Sequence, residues 1–231
     1  MDYPRWEKFY KQILKDFDFS IDKDLQASVL LNDLISEKNL VSIIELEKMI
    51  KEMEVFVFGS GPSLEQTIED KFSIFEDKLK IAADGATSAL IRKKILPDII
   101  VTDLDGMIPD QIMANMDGSI VIVHCHGDNI KNLKKYVPKF NGSVMATTQT
   151  NPWFYKYLHN FGGFTDGDRA VFLANHFGAK KINLIGFDLD GEIGKYSYAD
   201  KKDKDQKIEK LKWAKNLIDF LNKDNKNIVF L

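Results

Sequence analysis

Residues 80–106 read KIAADGATSALIRKKILPDIIVTDLDG. Two short apolar runs, at 80–83 and 99–102, flank a segment with helical patterning at 86–94. Neither run alternates apolar with polar residues. Strands buried on both faces look this way, and such strands belong to parallel sheets covered by crossover helices. The stretch therefore predicts one strand–helix–strand unit of an α/β fold.

The same texture continues outward. Further strands are expected at 55–58, 120–123, 143–146, 182–185 and 228–231, and further helices near 64–78, 128–136, 168–177 and 203–222. The fold class is α/β: a mostly parallel, Rossmann-like sheet with helices on both faces, over residues 54–231. Residues 1–53 read as helices only and form an N-terminal helical segment. Pro4 suits the first turn of a helix running to about Phe17. A second helix fits 24–36, with Leu25, Val29, Leu30 and Ile35 sharing a face, and Ser42-Ile-Ile-Glu45 is a capping-box pattern that opens a third.

Composition narrows the class. The chain has 231 residues, 44% hydrophobic and 29% charged, with a net charge of −3. That balance argues against a general nucleic-acid or membrane-surface binder. No apolar run is long enough to span a bilayer. The N-terminus, MDYPRWEKFYKQ, is charged from the start and lacks the apolar core of a signal peptide. Cys125 is the only cysteine, which fits a reducing compartment and a cytoplasmic protein. The run 200–207, DKKDKDQK, reads as a solvated loop or helix start.

In an open parallel sheet ligands bind beyond the carboxyl ends of the strands. After 55–58 come Gly59, Ser60, Gly61, Pro62 and Ser63, either a phosphate cradle at a helix N-terminus or a tight strand–helix turn. Asp84 follows 80–83, as an N-cap or a site acid. Asp103 and Asp105 follow 99–102; at i and i+2 of an extended backbone both point the same way, a fit to a hard divalent cation such as Mg²⁺ or to an exposed acidic turn. After 120–123 come His124, Cys125, His126, Gly127 and Asp128. Zinc is disfavoured there because further ligands are missing; a turn that positions Asp128, or a histidine for nucleotide contact, is the better reading. Arg169 closes the loop FGGFTDGDR at 161–169. Its planar fork suits phosphate, or a structural salt bridge with Asp166 or Asp168. Taken together, Asp84, Asp103, Asp105 and Asp128 face a glycine loop and Arg169. This is the equipment of Mg²⁺-assisted transfer at a nucleoside triphosphate.

The stretch ADGATSALIRKKILPDIIVTDLDG resembles the thiamine pyrophosphokinase pattern. A closer resemblance is to the archaeal 6-hydroxymethyl-7,8-dihydropterin pyrophosphokinase family. It is carried by VFVFGSGPSLE (55–65), AADGATSAL (82–90), PDIIVTDLDG (97–106), HCHGDN (124–129), GFTDGDRAVFLANHFGAKKINLIGFDLDG (163–191) and KLKWAKNLI (210–218), nearly the whole chain. The resemblance implies Mg²⁺-dependent transfer of the diphosphate of ATP to a pterin hydroxymethyl group, with AMP released. By motif it places the metal on Asp84, Asp103, Asp105 and Asp128. Catalysis would rest on Asp103, Asp105 and Arg169. The nucleotide phosphates would lie on residues 59–63 with Asp168 and Arg169. The pterin would stack on Trp153 or Phe164, with Gln149 or Asn151 reading its edges. Asp188 and Asp190 repeat the DxD spacing. They are expected in the cleft or in a structural role. A homodimer is the expected assembly. The competing expectations are thiamine pyrophosphokinase, a DxD metal-dependent glycosyltransferase of a related branch, and a nucleotide-binding regulator.

Overall fold

The computed structural model describes residues 2–190, 193–197 and 204–231. Residues 200–203 of the charged run thus lie outside the described residues. Three helices come first: α1 (Tyr3–Asp16), α2 (Ile21–Ile35) and α3 (Ile43–Ile50). Strands and helices then alternate through β1 (Glu54–Phe58), α4 (Leu64–Phe75), β2 (Leu79–Ala83), α5 (Ala86–Arg92), β3 (Ile99–Thr102), α6 (Ile108–Met116), β4 (Ile120–Cys125), α7 (Ile130–Tyr136) and β5 (Val144–Thr148). The chain closes with β6 (Leu158–His159), α8 (Asp166–His176), β7 (Lys181–Ile185), α9 (Lys204–Asn225) and β8 (Ile228–Phe230).

The strands form one eight-stranded sheet in the order β6-β5-β4-β3-β2-β1-β7-β8, and every pairing is parallel. Apolar side chains alternate between two buried layers. Val55, Val57, Ile81, Ile99, Val101, Ile122, Ile182 and Leu184 face a layer built with α1, α3, α8 and α9. Phe56, Phe58, Ala82, Ile100, Val121, Val123 and Ile185 face the opposite layer. Helices cover both faces, which is why these strands read as continuous apolar runs.

The N-terminal helices are sewn into this core. Trp6 of α1 packs edge-on against Phe172 of α8 and donates its indole N–H to the Gln149 carbonyl at 3.0 Å. Val41 donates its amide to the Val144 carbonyl of β5. The Ser42–Glu45 capping box forms at the start of α3. In α2 the expected apolar face is corrected. Ala27, Ser28, Leu31 and Ile35 are buried, whereas Leu25 and Val29 are 38% and 55% exposed. The buried stripe follows i, i+4, i+8 from Ala27, and its polar members are satisfied by partners on the sheet.

Two elements went unforeseen in the sequence. Helix α6 begins at Ile108 with Pro109 in its first turn, and β6 is a two-residue strand, too short to carry a pattern.

Candidate active site

The strand order reverses at β1, whose sequence successor β2 lies on one side and β7 on the other. A crevice opens beyond the carboxyl ends at such a point. Here it is a cavity of about 360 Å³. Gly59 to Gly61, Asp84, Asp103, Asp105, His126, Asp128 and Gln149 line it from successive strand ends, and Gly186 to Leu189 from the far side of the switch. The N-terminal turn of α8 and the face of α9 carrying Lys207 and Lys210 close it.

Four carboxylates meet at its floor. Asp84, Asp103, Asp105 and Asp166 each offer an oxygen, and these atoms all lie within 4.8 Å of one another. Local backbone explains the convergence. Leu104 stands between the two acids at φ +69°, a left-handed conformation that Leu seldom adopts. The side chains of Asp103 and Asp105 therefore meet through a turn, after the strand has ended at Thr102, and not through the pleat of an extended segment. Two bonds and an anchor hold the turn. The Leu104 amide donates to Thr102 Oγ1 at 2.9 Å, Asn132 Nδ2 donates to the Leu104 carbonyl at 2.8 Å, and the Leu104 side chain is buried. Asp84 is also left-handed, at φ +40°. Its carboxylate accepts from Thr102 Oγ1 at 2.8 Å and Gln111 Nε2 at 2.9 Å. Gly85 is the N-cap of α5, so the capping alternative for Asp84 falls.

Asp103 is steered by its neighbours. His126 Nε2 lies 3.2 Å from Asp103 Oδ2, and His126 Nδ1 accepts from the Asp128 amide at 3.3 Å. That network places the imidazole proton on Nε2, donating to Asp103. Asn129 Nδ2 donates to the Asp103 carbonyl and to that of His124. Asp103 Oδ1 is buried with no hydrogen-bond partner among the described residues.

The charges are strained in the way such a cluster demands. Burial, then the charge of Asp103, raises Asp84 above the usual carboxylate range. Burial, then the charges of Asp103 and Asp84, pushes Asp105 up to about 10. Burial and Asp103 raise Asp166 as well. Burial would lift Asp103 too, but the His126 hydrogen bond and the electrostatic pull of His126 and Arg169 outweigh it and hold Asp103 low. Opposite them, burial lowers Lys207 while the charges of Asp105, Asp84 and Asp103 oppose the shift. An all-oxygen donor set with an orphaned buried oxygen, and carboxylates whose charge is disfavoured first by burial and then by one another, fits a hard divalent cation.

Several expected roles are redrawn. Asp128 is exposed and lines the cavity, but its carboxylate is not in the cluster; Asp166 takes that place. Asp166 opens α8, and the sequence marked it only as a partner of Arg169. That salt bridge exists, with Arg169 Nη1 3.0 Å from Asp166 Oδ1. Asp168 is fully buried and caps its helix, accepting from the Phe164 amide at 2.7 Å and the Thr165 amide at 2.6 Å. Its carboxylate therefore fixes the loop, and the residue also lines the cavity. In the glycine loop the amides of Gly59 and Gly61 donate to the Ile185 and Gly186 carbonyls, and Ser63 donates from N and Oγ to Asp188. Pro62 and Ser63 do not line the cavity. The loop is clamped to the end of β7, because a Cβ at Gly61 would come within 2.6 Å of the Gly186 carbonyl. Asp188 belongs to that clamp, whereas Asp190 is exposed and paired with Lys215.

At the other end, Gln149 and Phe164 line the cavity. Trp153, 75% exposed, and Asn151, which caps the turn at Pro152–Phe154, do not. Phe19, which the sequence did not single out, joins Phe164 there, with ring centroids 6.4 Å apart.

The comparison with known families follows from these motifs. The model of the 6-hydroxymethylpterin diphosphokinase MptE-like family matches residues 30–193. The chain belongs to this family. Relatives named 6-hydroxymethyl-7,8-dihydropterin pyrophosphokinase are 44% identical in Methanocaldococcus jannaschii, over the full length of both chains, and 43% identical in Pyrococcus furiosus, over 98% of this chain and 96% of that one. A third, from Methanothermobacter thermautotrophicus, is 39% identical over 97% of each. Among solved structures, the MAf glycosyltransferase from Magnetospirillum magneticum AMB-1 superposes with a TM-score of 0.53 at 18% identity, over 74% of this chain. This chain spans 28% of that one, so the likeness is one of fold. In this chain Asp84, Asp103, Asp105 and Asp166 come from three separate loops, all within the matched residues. Among the described residues no helix is long and apolar enough to cross a membrane.

Proposed function

We propose that this chain transfers the diphosphate of ATP to the hydroxymethyl group of 6-hydroxymethyl-7,8-dihydropterin and releases AMP. Family membership supports the reaction class. The observation that carries the site assignment is the four-carboxylate floor with its unpartnered Asp103 Oδ1. Asp84, Asp103, Asp105 and Asp166 would hold Mg²⁺. When bound, the ion neutralises triphosphate oxygens and the charge that builds on them during transfer.

The chain's own residues then position the reactants. The aromatic corner of Phe19 and Phe164, with Gln149 beside it, offers a flat wall and a polar edge for the pterin. The hydroxymethyl oxygen bonds to the β-phosphorus as the bond from that phosphorus to the α–β bridging oxygen breaks, and AMP leaves with that oxygen. His126 keeps Asp103 oriented from Nε2 and accepts at Nδ1, so neither nitrogen is left to take the alcohol proton. Asp128, on the cavity wall but outside the cluster, would receive it. Arg169, tied to Asp166, sets the fourth acid in place. We assign the protein to the cytoplasm, as its one buried thiol supports. A homodimer would find in Trp153 and Phe154, 75% and 78% exposed, an apolar pair to cover.

Incubation with ATP, Mg²⁺ and 6-hydroxymethyl-7,8-dihydropterin should yield AMP and the pterin diphosphate in equal amounts. Formation of ADP, or no nucleotide turnover, would sink the assignment.

A further inference from the structure

A triphosphate seated on the carboxylate floor presents oxygens on its far side, and those need cationic donors. The groups that the sequence offered for that task are partly committed. Arg169 lines the cavity but is buried, and Nη1 is bonded to Asp166 at 3.0 Å. The amides of Gly59, Gly61 and Ser63 serve the β7 end of the sheet and Asp188.

Helix α9 lines the same cavity as the carboxylates. Lys207 lies on its first turn, lines the cavity and is half-buried. Its Nζ donates to the Ser197 carbonyl. An ammonium has three donors, so this one bond leaves two for a ligand. Among the described residues Lys207 forms no ion pair, unlike Lys195, Lys212 and Lys215. Lys210, one turn along, has its Nζ 5.7 Å and 5.9 Å from the Phe19 and Phe164 ring centroids and is given over to the aromatic corner.

We propose that Lys207 contacts the triphosphate directly, closing the cavity over the phosphates from the side opposite the four carboxylates. This deepens the reading above and rests on it for the identity of the nucleotide. The position makes sense of a cation held half-buried in a cavity otherwise rich in acids. Without a polyanion its remaining donors have no hydrogen-bond partner among the described residues. With one, they complete charge-assisted bonds.

The test compares wild type, Lys207→Gln, Lys207→Arg and Lys212→Gln as an exposed control on the same helix. Calorimetry with Mg²⁺ and α,β-methylene-ATP gives the Kd, AMP serves as a one-phosphate probe, and thermal unfolding checks the fold. Loss of a charge-assisted bond should weaken analogue binding roughly tenfold or more in Lys207→Gln, with Lys207→Arg within about threefold of wild type. AMP binding and the Lys212→Gln control should stay near wild type. Analogue binding unchanged in Lys207→Gln, or AMP binding lost in the same proportion as the analogue, would overturn the inference. The two readings fail separately. If wild type transfers nothing to the pterin while Lys207→Gln still loses the analogue, the acceptor assignment falls and Lys207 stands. If wild type makes the pterin diphosphate while Lys207→Gln binds the analogue normally, Lys207 falls and the reaction stands.

Discussion

Asp105→Asn should make the metal-free protein more stable while abolishing its turnover. Four carboxylate oxygens lie within 4.8 Å of one another. At that separation two full charges in an effective dielectric of about 20 repel by about 3.5 kcal/mol. The full figure is not realised, because Asp105, pushed up to about 10 by burial and by the charges of Asp103 and Asp84, keeps its proton at neutral pH. What the wild type bears instead is the cost of holding that proton, discounted because the Asp105 side chain opens to the cavity. A gain on the order of 2 kcal/mol is then expected for the neutral amide, about 4–8 °C in melting temperature for a chain of this size. The sign with pH is fixed by linkage. The folded state binds the Asp105 proton and the unfolded state releases it near pH 4, so this group's stabilising contribution, full at lower pH, is lost as pH rises toward 10. Scanning calorimetry in EDTA should therefore show the wild type losing stability between pH 5 and 9 and Asp105→Asn losing less. Mg²⁺ should raise the wild-type midpoint by mass action and the variant much less. A variant that melts at or below wild type in EDTA, with an unchanged response to Mg²⁺, would refute the reasoning.

Gly106→Ala should cut Mg²⁺ affinity by at least about tenfold with little change in melting temperature, since a Cβ there would sit 2.2 Å from Asp84 Oδ2 and displace a ligand with second-contact precision; titration calorimetry reads it. Asp24→Ala removes the acceptor of Tyr10 Oη at 2.6 Å, Gln149 Nε2 at 2.7 Å and the Gly127 amide at 2.7 Å, and should cost about 3 kcal/mol or more in urea unfolding. Phe164→Ala should weaken pterin binding, measured by fluorescence, while Trp153→Ala leaves it unchanged, because only Phe164 lines the cavity.

The sheet was legible because its strands are apolar throughout, as parallel strands covered on both faces must be. Three of the four floor acids were legible for a related reason: Asp84, Asp103 and Asp105 directly follow strands, where a parallel sheet gathers ligand-binding groups. Asp166 was hidden because it follows a glycine loop and begins a helix, where an acid ordinarily reads as a cap. Asp128 was overvalued for the converse reason. It does follow a strand, but His126 and Gly127 intervene, and the short helical turn Gly127–Asn129 carries it to the rim. The commitment of the glycine-loop amides depends on partners far along the chain, Asp188 and the end of β7, which no local pattern can reveal. Lys207 was lost in a run of alternating charge that looked uniformly solvated, because only the third dimension turns one lysine of such a run inward.

Leu104 holds a last consequence. A glycine between the two acids would adopt φ +69° without penalty, yet the residue is a leucine whose side chain is buried in the core cluster that also holds Ile100, Ile108 and Val123. The backbone accepts a local cost on the order of 1–2 kcal/mol in exchange for a keel. The placing of Asp103 and Asp105 is thus governed from below, by apolar residues of α6 and its neighbours. On the proposed reading, drift in that hydrophobic bed, a methyl group gained or lost, would retune cation affinity without touching a single acid.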